Sequence, residues 1–217
     1  MSKLLKCLLC HEDQNLRDYY KDPSGLQYWR CDHCGLIFLD PQFHLNWSQQ
    51  TDRYNLHQNN VLDERYQGFL RSVVEAVQKG QTPGEEGLDY GGGPASVICY
   101  LLQKEGYSIR NYDPLYFPQG ELLRKTYHYI TCTEVVEHFT EPHREFEKLY
   151  GLLKRGGRLY IKTGVTDQVS DFAQWHYRRD PTHVVFYNRQ TFEYIQQNWN
   201  YSELLFHSDC VQLACSP

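Results

Sequence analysis

Residues 88 to 96 of the chain are LDYGGGPAS, with three consecutive glycines between a strand-like segment and a proline. One or two glycines are enough for a turn, because glycine adopts backbone conformations that other residues avoid. Three in a row let a ligand approach the bare backbone, and the helix-like stretch PASVICYLLQKE (94–105) follows them. The stretch therefore predicts a strand, a ligand-binding loop and a helix, and the alternative is a tight turn that binds nothing.

The chain continues as an alternation of strands and helices. Strand-like segments GLDY, YSIRNYD, YHYITCT and RLYIKTG are separated by helical stretches, and the tail YSELLFHSDCVQLACS has two strand-like runs around a turn. Such alternation is typical of a mostly parallel sheet. We therefore predict an α/β fold: a Rossmann-like, mostly parallel sheet flanked by helices, with a closing antiparallel hairpin.

The composition limits the class of protein. The chain has 217 residues, of which 41% are apolar and 23% charged, which suits one globular domain with a small extra module. The net charge of −5 argues against a general nucleic-acid binder. There is no apolar run of about 18 residues that would span a membrane. The N-terminal MSKLLKCLLC is interrupted by Lys6 and is too short for a signal-peptide core, so we predict a cytoplasmic protein.

Four of the eight cysteines form the pattern C-x2-C-x20-C-x2-C, at Cys7, Cys10, Cys31 and Cys34. In a reducing compartment this spacing is typical of two knuckles that share one tetrahedral zinc ion. A set of four protein ligands leaves no position for water, so the predicted zinc is structural. The alternatives are four ordinary thiols or two disulfides.

The pattern also predicts the organisation of the chain. Residues 1–45 form a zinc ribbon, in which two strands flank the DPSG turn and GLIFLDP adds a third strand. Residues 46–85 form a helical lead-in and linker, with apolar positions at helical spacing from Val61 to Val77. Residues 86–217 form the Rossmann-like domain.

Two acidic residues favour a nucleoside ligand at the glycine loop. Asp113 ends the second strand of the domain, where a carboxylate can accept hydrogen bonds from ribose hydroxyls. Asp89 directly precedes the glycines. A pyrophosphate would be repelled by that carboxylate, whereas a positively charged nucleoside that carries an amino acid would tolerate it.

These segments resemble a known family. LDYGGG, NYDP and ITCTEVVEHFTEPHREFEKLYGLLKRGGRLYIKTG are similar to class I S-adenosylmethionine (SAM)-dependent methyltransferases, especially the bacterial subgroup of ubiquinone O-methyltransferases. The resemblance covers residues 86 to 208 well and the ribbon moderately. The segment between Asp113 and Tyr129 is short for this family, so the usual third strand is expected to be missing or very small.

The resemblance implies a SAM-binding site. The glycine loop would hold the methionine end, Asp113 the ribose, and Glu134 and Val135 the region of the sulfonium, while Tyr54 would cover the amino-acid end. The implied cofactor-binding residues are Asp89, Tyr90, Gly91, Gly92, Gly93, Asp113, Pro114, Glu134, Val135 and Tyr54.

The sequence also suggests a second metal. Glu134, Glu137 and His138 would lie on one face of a helix, and some relatives of the resembled family use E-x-x-E-H to bind a divalent ion, with His183 as a fourth ligand here. The other interpretation gives Glu134 to the cofactor site and Glu137 and His138 to a helix end.

The segment DFAQWHYRRDPTHVVFYNRQTF follows the strand RLYIKTG, and in the resembled fold this region covers the substrate. A histidine beside a methyl acceptor can remove its proton, because its pKa is close to neutrality. His183 is the first candidate and His176 the second; the alternative is a histidine that hydrogen-bonds loop backbone. Arg178 and Arg179 would bind an anionic substrate or form a solvated surface.

We therefore predict a SAM-dependent methyltransferase whose acceptor is a small molecule, with O-methylation favoured over N- or C-methylation. One alternative is an RNA methyltransferase, because the ribbon is locally basic at Lys3, Lys6, Arg17, Lys21 and Arg30. Another is a SAM-binding protein without catalytic activity. A nicotinamide dehydrogenase fits poorly with Asp89 before the glycines.

Overall fold

The computed structural model describes residues 5–56 and 60–217. Ten strands and five α-helices lie in these two ranges. The strands are β1 (Leu16–Lys21), β2 (Gln27–Cys31), β3 (Ile37–Leu39), β4 (Glu86–Tyr90), β5 (Ser108–Tyr112), β6 (Tyr127–Thr133), β7 (Leu153–Lys162), β8 (Val185–Phe186), β9 (Glu203–His207) and β10 (Cys210–Ala214). The helices are α1 (Trp47–Tyr54), α2 (Glu64–Gly80), α3 (Val97–Lys104), α4 (Pro142–Gly151) and α5 (Arg189–Asn198).

A six-stranded sheet with the order β5-β4-β6-β7-β10-β9 forms the centre of the fold. Its first four strands are parallel, and β10 and β9 close it as an antiparallel hairpin. The predicted fold class is therefore confirmed. Because β4, β5 and β6 run in the same direction, their carboxyl ends share one edge, where ligands bind in sheets of this kind.

Strand β5 is the outer strand of this sheet, as expected from the short segment that follows it. Between β5 and β6 the described chain has only a turn closed by Asp113 and Phe117 and a 3-10 turn at Gly120–Arg124. A further parallel strand would need a crossover of about a dozen residues plus its own length, which this segment does not provide.

Each face of the sheet carries its own apolar core. On one face α2 and α3 pack through Leu70, Val73, Val77 and Leu102 against the aromatic rings of β6 and β7. On the other face α4 and α5 pack together with the N-terminal cysteine region. Helix α2 is amphipathic as its sequence predicts, and it begins where the Asp63 carboxylate accepts the Arg65 amide at 2.9 Å.

Helix α3 begins later than its sequence suggests. The sequence predicted a helix that begins at Pro94, whereas the observed helix begins at Val97. Ser96 is its N-cap, because the Ser96 hydroxyl accepts the Cys99 amide at 2.9 Å. Pro94 therefore belongs to the loop that follows the glycines. The predicted end near residue 105 agrees with the observed end at Lys104.

The four cysteines come together at the base of a second, four-stranded sheet with the order β1-β2-β3-β8. We call residues 5–45 the cysteine module. Its strand β3 pairs with β8, which comes from a distant part of the chain, so this sheet joins the module to the region around residue 185. The boundary at residue 45 stays a prediction.

The four thiols of the cysteine module lie close enough together to share one metal ion. All four cysteines are free, and their Sγ atoms lie within 4.8 Å of one another. Two cross-knuckle Sγ–Sγ distances, Cys7 to Cys34 and Cys10 to Cys31, are both 3.5 Å. Tetrahedral zinc with Zn–S bonds of about 2.3 Å would place neighbouring sulfurs about 3.8 Å apart, which is close to these two distances.

Within the two described ranges, none of the helices is both long and apolar enough to cross a membrane.

Candidate active site

A cavity of about 870 Å³ opens at the carboxyl ends of β4, β5 and β6. Its size is within the range of small-molecule sites. All twelve residues that the sequence singled out for cofactor binding or catalysis line this one cavity: Tyr54, Asp89, Tyr90, Gly91, Gly92, Gly93, Asp113, Pro114, Glu134, Val135, His176 and His183.

The glycine loop leaves its backbone bare because side chains do not fit there. Gly91 has a φ of 81°, and a Cβ at that position would lie 2.6 Å from the Val135 side chain. A Cβ on Gly92 would lie 2.3 Å from the Asp89 carboxylate and 2.4 Å from the Asn111 amide oxygen. The side of the glycine loop that faces the sheet is therefore closely packed, and the opposite side faces the cavity.

Asp89 supports this loop from beneath. Its carboxylate accepts hydrogen bonds from Ser96 Oγ at 2.6 Å and from Thr131 Oγ1 at 2.7 Å, and the residue is buried. Burial raises the pKa of Asp89, although the two hydroxyl donors oppose this shift. The side chain thus connects β4 to the start of α3 and to β6.

Asp113 shapes the other side of the loop. One carboxylate oxygen accepts the Gly93 amide at 3.0 Å, and the other accepts the amides of Leu115 and Tyr116 at 2.9 and 3.0 Å. These three donors fix the carboxylate at the rim, and an ionised carboxylate has about four lone-pair positions, so one position remains for a ligand hydroxyl.

Tyr90 lines the cavity and is held by side chains of α4 and β5. The hydroxyl donates to Glu145 at 2.6 Å and receives the Lys148 ammonium at 3.1 Å, on the side of the sheet where α4 lies. The ring packs against Tyr112 with a centroid distance of 5.3 Å. Glu145 and Lys148 also line the cavity.

Glu134 follows β6 in a left-handed conformation with a φ of 53°, which is rare for a residue with a side chain. Its amide donates to the Lys162 carbonyl at 2.8 Å. Burial and the neighbouring Glu137 carboxylate raise the pKa of Glu134 to about 8, and the Lys162 ammonium opposes that rise. The next residue, Val135, packs against the glycine loop.

Two histidines and one glutamate form a compact cluster behind this turn. Nε2 of His138 and Nε2 of His183 each lie 4.0 Å from Oε1 of the buried Glu137. Each ring is oriented by a backbone carbonyl: Nδ1 of His138 lies 3.0 Å from the Thr182 oxygen, and Nδ1 of His183 lies 2.7 Å from the Tyr177 oxygen. A carbonyl only accepts, so Nδ1 is the donor and Nε2 carries the lone pair in the neutral rings.

The sequence predicted a metal-binding set of Glu134, Glu137, His138 and His183, and the observed cluster lacks Glu134. Glu137, His138 and His183 place one ligand atom each within 4.8 Å of one another, whereas Glu134 is outside this group. The reason is local backbone structure: residues 136–138 form a 3-10 turn and Glu134 is in a left-handed conformation, so the helical spacing assumed from the sequence does not apply.

Glu137 is held by hydroxyl groups of the strand β7 exit and the facing loop. Thr163 Oγ1 donates to Glu137 Oε2 at 2.9 Å, and the Tyr177 hydroxyl oxygen lies 3.0 Å from Thr163 Oγ1. Complete burial raises the pKa of Glu137 to about 7, while its hydrogen bonds, with that of Tyr177 foremost, oppose the rise. The group therefore changes charge near neutral pH.

The far wall of the cavity comes from residues 165–187, which we call the aromatic loop. A 3-10 turn at His176–Arg179 brings His176 and Tyr177 to the cavity, and the Tyr177 ring lies 4.2 Å from the His183 ring. Helix α1 closes the cavity from above, since Arg53 donates to Asp180 at 2.7 Å and the Tyr54 ring meets His138 edge-on at 5.4 Å.

Comparison with known proteins identifies the family of this chain. The family model described as "Methyltransferase domain" matches residues 62–203, which is well over half of the chain and includes nearly every residue of the cavity. The chain belongs to the methyltransferase domain family. This membership confirms the assignment that the glycine loop and the EVVEHF segment suggested.

The chain is similar to several curated proteins at low identity. It is 27% identical over 119 residues to a ubiquinone biosynthesis O-methyltransferase of Pseudomonas savastanoi pv. phaseolicola, a match that covers 55% of this chain and 49% of that protein. It is also 27% identical over 135 residues to the protein of the same description from Acinetobacter baumannii, with coverage of 54% and 56%. The chain thus spans about half the length of the curated relatives it matches.

Solved structures share its fold. A SAM dependent methyltransferase from Archaeoglobus fulgidus is 18% identical with a TM-score of 0.52, and the match covers 74% of this chain and 76% of that one. The magnesium protoporphyrin IX methyltransferase from Synechocystis PCC 6803, solved with bound S-adenosylhomocysteine (SAH), is 17% identical with a TM-score of 0.51, and the match covers 78% and 95%.

Several residues of this cavity were not predicted from the sequence. Trp47, Arg53 and Tyr66 line the cavity from α1 and α2, and Tyr177 and Thr163 organise the Glu137 cluster. Tyr177 could have been selected because it adjoins His176 in the aromatic loop. No sequence pattern distinguishes Thr163, because its role depends on β7 ending beside β6 in the folded sheet.

Proposed function

We propose that the chain is a SAM-dependent methyltransferase that transfers a methyl group to a hydroxyl of a small molecule. The observation that carries the proposal is the single cavity in which a bare glycine loop and a rim carboxylate at one end face an imidazole cluster at the other. The family match and the descriptions of the relatives as O-methyltransferases support the same activity.

The residues present fit SAM at the first end of this cavity. The backbone of Gly91–Gly93 would lie against the methionine part, and the remaining lone pair of Asp113 would accept a ribose hydroxyl. When bound, SAM supplies an electrophilic methyl group, which an acceptor oxygen takes up as SAH leaves. The protein contributes mainly orientation, because holding two reactants in line removes much of the entropic barrier.

His183 is our candidate for the proton acceptor. Its Nδ1 is oriented by the Tyr177 carbonyl at 2.7 Å, so Nε2 is the basic atom of the neutral ring. His183 lines the cavity and its Nε2 lies 4.0 Å from Oε1 of Glu137, whose ionised form would stabilise the imidazolium that forms when the acceptor loses its proton. His176 lines the same wall and is the second candidate.

The activity is tested by incubating the protein with SAM labelled in its methyl group and a panel of hydroxylated small molecules, among them phenols and catechols. We expect labelled product from at least one acceptor, and a loss of about 100-fold in rate for His183→Ala when SAH affinity is retained. A His183→Ala protein with the wild-type rate would remove His183 from this role.

The second interpretation makes His183 a metal ligand. Glu137, His138 and His183 together supply one oxygen and two nitrogens, and the carbonyls that orient the two rings are typical outer partners of metal-binding histidines. A divalent ion there would orient the acceptor oxygen and lower its pKa. Calorimetric titration with Mn²⁺, Mg²⁺ and Zn²⁺ separates the two roles, since a ligand nitrogen cannot also serve as the base.

The cysteine module is proposed to hold a structural zinc ion through Cys7, Cys10, Cys31 and Cys34. The clustered free thiols support this, and the measurement is zinc content per chain in reduced, freshly purified protein, expected to be one. The four ligands of one ion are all supplied, so the zinc would stabilise the fold without entering the reaction.

RNA methylation is the less favoured alternative. Of the basic residues in the cysteine module, Arg17 donates to Asp32 at 2.8 Å and Arg30 lies 3.8 Å from the same carboxylate, so part of the positive charge is neutralised. Lys3 is outside the described residues. Salt-dependent RNA binding would support this alternative. SAM binding without SAH production from any acceptor or extract would instead support a non-catalytic protein.

A further inference from the structure

One residue of the aromatic loop points away from the cavity that its neighbours line. His176, Tyr177 and Arg179 face the cavity, whereas the Arg178 side chain is buried on the opposite side, with only 10% exposed. Its guanidinium donates to the carbonyls of Phe172 at 3.2 Å and Ala173 at 2.9 Å. Arg178 therefore fixes the path of the loop just before the cavity-lining turn.

The cysteine module supplies the surroundings of this guanidinium. Nη1 of Arg178 lies 3.6 Å from Oδ2 of Asp22, and its central carbon lies 5.0 Å from the Tyr20 ring centroid and 5.6 Å from that of Tyr28. Two aromatic faces and one carboxylate from the β1–β2 hairpin thus enclose a buried cation. A buried cation needs such partners, so the loop conformation depends on the hairpin.

Asp22 also organises the tip of that hairpin. Its Oδ1 accepts the amide and the hydroxyl of Ser24, at 2.9 and 2.6 Å, and the amide of Leu26 at 3.0 Å. One carboxylate therefore fixes the DPSG turn with one oxygen and faces Arg178 with the other. Displacement of the hairpin would displace the loop.

The C-terminal end of the aromatic loop is attached to the module a second time. Strand β8 pairs with β3, the Leu39 amide donates to the Val184 carbonyl at 2.8 Å, and Asn188 donates to the Gly35 carbonyl at 2.6 Å. Gly35 closes the second cysteine knuckle, since its amide donates to the Cys31 carbonyl at 2.8 Å. His183 lies between these two attachments.

The glycine loop has a different set of supports. The Gly91 amide donates to the Tyr112 carbonyl at 2.8 Å, the Gly93 amide donates to Asp113, and Asn111 donates to the Gly93 carbonyl at 3.0 Å. These partners all belong to β5 and its exit. These hydrogen bonds of the glycine loop thus come from a different segment than those that hold the aromatic loop.

We propose that the cysteine module is the positioning element of the acceptor wall: it holds residues 172–187 through Arg178 and β8, so that metal at the four cysteines fixes the acceptor side of the cavity and leaves the cofactor side unchanged. Arg178 is then a positioning residue for Tyr177 and His183. The identity of this wall as the acceptor side rests on the proposed function.

The test compares Arg178→Gln with Arg17→Gln in hydrogen exchange followed by mass spectrometry. Arg17 belongs to the cysteine module and, like Arg178, pairs with an aspartate. It is exposed, however, and is not among the residues that contact the aromatic loop here. For Arg178→Gln we expect exchange in residues 172–187 to become faster by about tenfold, while peptides covering 86–97 and the zinc content stay as in wild type. Arg17→Gln should change none of these.

Two further measurements complete the test. The SAH dissociation constant, measured by calorimetry, should change less than about threefold in Arg178→Gln, and Arg178→Lys should restore part of the slow exchange because it keeps the charge beside Asp22. Removal of the metal with a zinc chelator should accelerate exchange in 172–187 in the same way. If Arg178→Gln does not fold, Asp22→Asn, which keeps an acceptor for the turn, gives the same comparison.

Unchanged exchange in 172–187 after substitution or metal removal would overturn the inference. So would a parallel loss of SAH affinity, because both ends of the cavity would then depend on the module. Failure of the wild-type protein to bind SAH is a separate result: it would refute the proposed function and leave the dependence of the loop on the module measurable.

Discussion

Substitution of Glu137 by glutamine should make the stability of the protein less dependent on pH. The carboxyl is fully buried, and the pKa of Glu137 is raised by that burial from 4.5 to about 7. The folded state therefore binds this proton more tightly than the unfolded state does. The stabilising contribution is complete below about pH 4.5 and is lost as the pH rises through about 7.

The size of the effect follows from this pKa difference. Each tenfold change in proton affinity corresponds to about 1.36 kcal/mol, so the whole shift corresponds to about 3 kcal/mol, most of which falls between pH 5 and pH 8. For a chain of this length, a change of this size corresponds to roughly 5–10 °C in melting temperature. Glutamine keeps an acceptor for Thr163 but does not titrate.

The assay is thermal unfolding of the wild type and Glu137→Gln at about pH 5 and about pH 8, in buffer without added divalent ions. We expect the wild type to lose roughly 5–10 °C more than the variant between the two pH values. Glu147→Gln, an exposed position on α4, is the matched control and should follow the wild type. Parallel curves for wild type and Glu137→Gln would refute the argument, because the carboxyl would then titrate as it does in the unfolded chain.

Three further substitutions test separate parts of the account. Gly92→Ala places a Cβ 2.3 Å from Asp89 and 2.4 Å from Asn111, so we expect calorimetry to show SAH affinity lowered by more than about tenfold; wild-type affinity would contradict the bare-backbone role of the loop. Ser96→Ala removes the α3 cap and one donor to Asp89, and urea unfolding should show a loss of about 2 kcal/mol; a loss below about 0.5 kcal/mol would contradict both contacts. Cys34→Ser should reduce zinc content to well below one ion per chain, and full zinc content would show that the four thiols are not the ligands.

The overall fold followed from local patterns in the sequence. Alternating strands and helices, and turn residues between them, predict the parallel sheet and its closing hairpin, and the order β5-β4-β6-β7-β10-β9 agrees. The short segment after Asp113 indicates that a strand is missing, because chain length alone limits what can form there. The start of α3 was misplaced since proline and serine both favour the first turn of a helix, and only Ser96 makes the capping hydrogen bond.

The site was less predictable where it depends on contacts between distant segments. The glycine loop and Asp113 are recognisable because each lies at the end of a predicted strand. The cluster of Glu137 with His138 and His183 combines residues 45 positions apart in the sequence. Glu134 lies outside this cluster because its backbone is left-handed, and no glycine at that position indicates such a conformation. The pairing of β8 with the cysteine module has no local pattern either, since β8 has only two residues.

The most direct test of the central claim is calorimetric titration of the wild-type protein with SAH, with SAM and NAD titrated in parallel. The account predicts that one molecule of SAH or SAM binds per chain, that NAD does not bind, and that Asp113→Ala weakens SAH binding by at least about tenfold through the loss of a charge-assisted hydrogen bond. Binding of NAD in place of both SAM-type ligands, or no binding of SAH at all, would contradict the account.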